Sequence, residues 1–192
     1  MKDNDIRQAL LSELTSKYKK DPETIIIEEL GLCQGEARID IAIVNGSIHG
    51  IEIKSDQDTL KRLDGQIEIY SRCLDMVTLV VGPRYLEKAL NVIPKWWGVT
   101  KAESNNEEII LQEIRAHQNN PSPDAEAIIQ LIWRDEALDL LRKNKLHDGY
   151  LTKKKWVLYQ RIIENLSLDE LREEVRNKLK SRGNWRSVQS LA

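Results

Sequence analysis

Cysteine is scarce. Cys33 and Cys73 are the only two in 192 residues. Their spacing matches neither a disulfide framework nor a zinc ligand set, so two free thiols in a reducing cytoplasm are expected. Long apolar runs are lacking as well, and none reaches the length needed to cross a bilayer. The first residues, MKDNDIRQALL, carry no apolar h-region and no cleavage site, so neither a signal peptide nor a membrane partner is expected. His117 and His147 have no Cys or His partners at zinc spacing. No G-x-x-x-x-G-K-[ST] string is present, which argues against P-loop ATP hydrolysis. Internal repeats and low-complexity tracts are also missing.

What is present suits a globular chain able to bury a core, with 41% hydrophobic and 31% charged residues. The net charge of −2 is uneven. Residues 1–132 hold 15 Lys+Arg against 22 Asp+Glu, a balance of −7. Residues 133–192 hold 14 against 9, a balance of +5. The basic part suits contact with a polyanion, or equally the solvated outer faces of helices.

Periodicity outlines the fold. Residues from Asn4 to about Lys19 place Ile6, Ala9, Leu10, Leu14 and Tyr18 in one helical stripe, with Glu13 inside it. "TIIIEELGL" predicts a strand, and "RIDIAIV" and "IHGIEIK" around "NGS" predict a hairpin. A helix through residues 56–74 and a buried strand, "MVTLVVG", follow. "RYLEKALNVI" reads as a short helix stopped before Pro94. "WWGVTKAE" and "EEIILQEIRAHQ" suit a second hairpin, although "EEIILQEI" is also compatible with a helix. "NNPSPD" marks a boundary between a core at 1–118, with an added strand pair, and a helical region at 119–192. Helices are expected at about 124–143, 152–166 and 168–181, the last opened by the capping-box pair Ser167 and Glu170. The order describes an α/β protein: a mixed sheet flanked by helices, with a C-terminal helical region.

The first hairpin carries the chemistry. If Asn45 and Gly46 alone form its loop, Asp40 lies opposite Ile51. If Ser47 joins them, Val44 pairs with Ile48 and Asp40 lies across from Glu52. Two carboxylates about 5 Å apart repel unless something compensates. Mg²⁺ or Mn²⁺ is one compensation, and Lys54, on the face of Glu52, can neutralise charge beside such an ion. Asp, Glu and Lys converging at a sheet edge are the parts that metal-assisted phosphodiester hydrolysis needs. The alternative is a solvated hairpin face. Gln66 and Tyr70 stand at i, i+4 on the following helix, with Arg62 one turn earlier.

These residues, Asp40, Glu52-Ile53-Lys54 and Gln66-x-x-x-Tyr70, resemble the PD-(D/E)xK nuclease superfamily with the QxxxY element of its RecB-like members. The longer string from Arg38 to Gly82, with "WWG", "LIWRDEALDLL" and "RGNWR", is similar to the sce7726 family proteins. The resemblance implies a restriction-endonuclease-like fold. It implies a hydrolase cutting nucleic acid, DNA above all, with Mg²⁺ or Mn²⁺. Asp40, Glu52, the Ile53 carbonyl and Glu13 would bind the metal. Lys54 and Gln66 would join Asp40 and Glu52 in catalysis, while Tyr70, Arg62 and Lys61 would hold substrate. A homodimer would serve to cut two strands. The other reading is a catalytically silent nucleic-acid-binding or protein-interaction module of a defence or mobile-element system.

Several residues stay outside that scheme. Arg38 suits a phosphate contact or a counter-ion for Glu28 or Glu29. Asp56 or Asp58 is expected to cap the 56–74 helix. His49 points away from Glu52 by parity and reads as a core or edge histidine. Of the adjacent Trp96 and Trp97, one is expected to face outward, while Trp133 and Trp156 are expected in the core. The tail cations Lys178, Lys180, Arg182 and Arg186, with Trp185, suit a nucleic acid backbone or a frayed helix end.

Overall fold

A computed structural model describes residues 2–106 and 108–183. Within them the chain is α/β, with six strands in one mixed sheet and seven helices. Helix α1 spans Asp3–Tyr18. Strands β1 (Ile25–Leu32), β2 (Ala37–Val44) and β3 (Ile48–Lys54) form an antiparallel meander. Helix α2 (Leu63–Cys73) crosses to β4 (Met76–Val81), parallel to β3. Helix α3 (Leu86–Val92) leads to β5 (Gly98–Asn105), parallel to β4, and β6 (Glu108–Arg115) returns antiparallel to it. The strands lie side by side in chain order. Helices α4 (Ala125–Ile128), α5 (Arg134–Lys143), α6 (Lys155–Ile163) and α7 (Leu168–Ser181) follow. No described helix is long and apolar enough to cross a membrane.

The sheet has two apolar faces, as alternation along strands requires. On one, Ile41, Ile43, Ile51 and Ile53 pack against Ile6, Leu10, Leu11 and Leu14 of α1. On the other, a larger cluster joins β1–β5 to α2, α3 and the C-terminal helices, so the helical region packs on the core rather than apart from it. Asp75 ties the two together. Its buried carboxylate accepts the Ile48 N–H (2.6 Å) and pairs with Arg172 of α7 at 2.6 Å.

Two expected helices are shortened by local side-chain chemistry. Helix α2 begins at Leu63 rather than near residue 56. Ahead of it, Asp58 accepts from both the N–H (2.8 Å) and the hydroxyl (2.7 Å) of Ser55, which stabilises a turn in place of helix. Asp56 accepts instead from the Arg84 N–H, so neither acid caps α2. The helix expected at 124–143 breaks at Ile132–Trp133, both extended. Glu136, held by Arg182, accepts the Trp133 N–H (2.6 Å) and starts α5 afresh.

Tryptophan placement also departs from expectation. Trp97 and Trp96 precede β5 rather than lying on a strand. Trp97 is fully buried and stacks on Tyr70 with ring centroids 6.0 Å apart. Trp133 and Trp156, expected in the core, are 62% and 67% exposed. Both sit at helix starts, Trp133 capping α5 and Trp156 in the first turn of α6, where side chains turn out from the bundle. The Arg182 guanidinium covers Trp133 at 4.1 Å. Trp185 and Arg186 lie outside the described residues, while Lys178 and Lys180 pair with Asp139 (3.6 Å) and Glu23 (3.0 Å).

Candidate functional site

The first hairpin adopts the three-residue turn. Val44 pairs with Ile48, and the ladder runs to Ile41↔Ile51, which brings Asp40 and Glu52 to the same end of the sheet. Asn45 supports the turn by accepting the Ser47 N–H at 3.1 Å. A second device sharpens the geometry. Ile27 and Leu30 on β1 share a face, as do Ile39 and Ala42 on β2, which strict alternation forbids. The break falls at Glu29, a non-glycine residue with φ 57°, beside Asp40. Such strain persists only where the surroundings impose it. Arg7 of α1 sits against this break, pairing with Glu29 at 3.0 Å and with Asp40 at 2.7 Å.

The result is a cleft of about 670 Å³ at the end of β3, walled by the start of α1, the turn before β2, and α2. Asp40, Glu52, Ile53, Lys54, Lys61, Arg62 and Gln66 all line it. Its floor is a closed polar network. Asp40 accepts the Ile53 N–H (2.7 Å) and two contacts from Arg7, one to its carboxylate and one to its carbonyl (3.0 Å). Glu52, only 2% exposed, accepts from Lys54, from Gln66 Nε2 (2.7 Å) and from the Tyr70 hydroxyl (2.7 Å). Burial raises the Glu52 pKa, and the Asp40 charge raises it further, against the pull of Lys54. Burial, then Asp40, likewise raises Asp3 at the cleft wall. Burial opposes the Arg7 charge, but Asp40, Asp3 and Glu29 together outweigh it and hold the guanidinium more firmly protonated. Tyr70 is fully buried and its pKa is pushed up, first by burial and then by Glu52.

The sequence-predicted residues therefore divide. Asp40, Glu52, Lys54 and Gln66 meet in one network. Lys61 and Arg62 are exposed at the rim, as is Arg38, which pairs with Glu29 at 3.6 Å, the counter-ion alternative. Tyr70 is sealed beneath the floor, so it holds Glu52 and the Arg38 carbonyl and does not reach a substrate. Glu13 does not belong to the site. It is exposed and borders a different cavity, with His49 and His117. The buried stripe of α1 includes Leu11, and it is Asp3 of this helix that lines the cleft, with Arg7 reaching Glu29 and Asp40. Sequence reasoning missed Arg7, and it named Glu29 only as a counter-ion for Arg38. The i, i+4 pair Asp3–Arg7 was the available signal, and nothing local marks the φ of Glu29.

The two carboxylates expected to hold a divalent ion face protein donors in this structure. The oxygens of Asp40 and Glu52 already face Arg7, Lys54, Gln66, Tyr70 and the Ile53 N–H. The Ile53 residue engages Asp40 through its N–H. Among the described residues, no three or more His, Cys, Asp or Glu side chains are grouped to hold a metal. Gln66 Oε1 is buried without a hydrogen-bond partner.

The fold and site together define an α/β protein whose sheet end is closed by a self-neutralising acid–base network. The family model described as Bacteriophage P4 protein cII matches residues 1–191. Protein cII of Enterobacteria phage P4 is 30% identical over 190 residues, covering 95% of this chain and 68% of that protein. The chain belongs to the bacteriophage P4 protein cII family. No solved structure matches it. Membership corrects the resemblance drawn from the hairpin: the chain is placed with the cII proteins, not with the PD-(D/E)xK nucleases or the sce7726 proteins. The readings of hydrolase, nuclease and Mg²⁺- or Mn²⁺-dependent phosphodiesterase fall with it. The physical reason is that a short Asp…Glu-x-Lys spacing serves internal charge compensation as well as it serves an ion.

Proposed function

We propose that this chain is a non-enzymatic nucleic-acid-binding protein, with DNA as its main partner, that grips the phosphate backbone at the mouth of the cleft. The observation that carries the reading is the layering of charge. Acids on the floor are neutralised by protein donors, while Arg38, Lys61 and Arg62 stand exposed at the rim. Exposed guanidinium and ammonium groups around a polar cleft suit phosphate oxygens. An antiparallel β2–β3 hairpin with a helical crossover to parallel β4 supports a restriction-endonuclease-like arrangement used for binding. In this reading Mg²⁺ or Mn²⁺ competes with Arg7 and Lys54 for carboxylates and takes no part in cutting. A homodimer would double the phosphate contacts and steepen the salt dependence.

Fluorescence anisotropy with labelled 20-mers, single-stranded and duplex, tests the reading over a salt series. Binding should weaken linearly in log salt. Replacing Arg38, Lys61 and Arg62 together with Ala should reduce the slope by about 0.9 per lost duplex contact. A slope unchanged by the triple variant, or no binding at low salt, would overturn it.

A further inference from the structure

A second groove, of about 490 Å³, lies on the helical region between α4 and α6. Trp156 borders it, two-thirds exposed, with Lys154 and Lys155 beside it and Tyr159 in its wall. The stretch from Arg142 to Trp156 holds six Lys+Arg against one acid, Asp148. Arg142 and Lys143 are paired, with Asp139 and Glu174. Among the described residues Lys153 and Lys154 form no ion pair, and Lys155 rests over the Tyr159 ring at 5.4 Å. Helix α6 opens here with no side-chain cap and no acid in its first turn, so its free N–H groups add to the positive field. Glu126 is the acid in the groove lining.

An exposed indole flanked by uncompensated lysines has a specific use. Every base has a π-face, so a tryptophan platform takes an unstacked base of any sequence while neighbouring cations follow the backbone. A duplex keeps its bases stacked and offers no such face. The groove and the cleft have neighbouring lining residues along the chain. Gln34 lines the groove, and the next residues, Gly35 to Arg38, line the cleft. Cys33, Gln34 and Gly35 all have positive φ (46°, 58° and 94°), a strained turn that separates the two by a single residue step.

We infer that this groove is a binding surface for single-stranded nucleic acid, with a base stacked on Trp156 and phosphates on Lys153, Lys154 and Lys155. The inference rests on the nucleic-acid reading of the cleft and names its strand class and second contact surface. Anisotropy with a labelled thymidine 20-mer and a duplex of equal length tests it on the full chain. Trp156→Ala should weaken single-strand binding roughly 5- to 150-fold, the range for losing one stacked base, and leave duplex binding within twofold. Trp156→Phe should restore most of the loss. Lys153→Ala with Lys154→Ala should flatten the single-strand salt slope by about 0.7 per contact. Single-strand affinity unchanged in Trp156→Ala, while the wild type binds duplex, would overturn this inference alone and leave the groove to a protein partner. Equal losses on both strands would also overturn it. Failure of the wild type to bind any nucleic acid would remove both readings. The variant's melting temperature, expected to match wild type because the ring is exposed, excludes unfolding as the cause.

Discussion

The cleft and the helical groove treat charge in opposite ways. At the cleft, Glu52 and Lys54 are almost wholly buried and bond to each other, and Asp40 is held by Arg7 and the Ile53 N–H. At the groove, Lys153 and Lys154 stand exposed, without an ion pair among the described residues, beside an exposed tryptophan. Charges that the fold neutralises are part of its structure. Charges that it leaves uncompensated are available to a partner. The same rule separates the floor of the cleft from its rim, where Lys61 and Arg62 face solvent.

The largest effect should come from breaking the buried pair. Lys54→Met leaves the Glu52 carboxylate buried without its cation and should cost about 3–5 kcal/mol. Adding Glu52→Gln removes the stranded charge and should recover more than half of that. Urea unfolding measures both, and a single-variant loss below about 1 kcal/mol would erase the contrast with the groove. Asp75→Ala comes next, at about 3 kcal/mol, because it strands Arg172 and an Ile48 N–H at the junction of sheet and α7. Equilibrium denaturation should show that loss across the whole chain, since one apolar cluster spans sheet and helices.

A pH experiment probes the opposite sheet face. Burial, then His117 and Lys17, push His49 down from 6.5 to about 3. Its ring centroid lies 4.2 Å from that of His117, the two rings tilted by 46°, and its Nε2 lies 2.8 Å from the Thr78 hydroxyl. The folded state binds fewer protons than the unfolded one between those values. The His49 contribution is therefore intact above pH 6.5 and lost as pH falls toward 3, by up to about 1.4 kcal/mol per pH unit. Glu52 works the other way, its raised pKa favouring the folded state at low pH. Comparing His49→Asn with wild type at pH 7 and 5 isolates the histidine, and parallel pH profiles would contradict its assignment. The smallest effect belongs to Glu13→Ala, expected within about 0.5 kcal/mol and without change in binding, as for any exposed side chain outside a site.

Much of this was legible in the sequence. The Ser167–Glu170 box caps α7 as its spacing predicts. The Asn45-Gly46-Ser47 alternative gave the correct register, and that register put Asp40, Glu52 and Lys54 in one place. Other features depend on contacts far apart in the chain. The break at Glu29 packs against Arg7, 22 positions earlier. The break at Ile132 is fixed by Glu136, which Arg182 holds from the far end of α7. Glu13 shows how a stripe is misjudged when one leucine, Leu11, is left out of it. The functional reading failed for a different reason. A short motif records which residues meet, and only their partners record whether they face an ion or one another.

The central claim is that this protein binds nucleic acid and leaves it intact. End-labelled single-stranded and duplex DNA, incubated with the protein in Mn²⁺ and in EDTA, then resolved on native and denaturing gels, tests both halves at once. Shifted complexes with full-length strands in both conditions are the predicted result. Cleavage products that appear with Mn²⁺ and vanish in Lys54→Ala would contradict it.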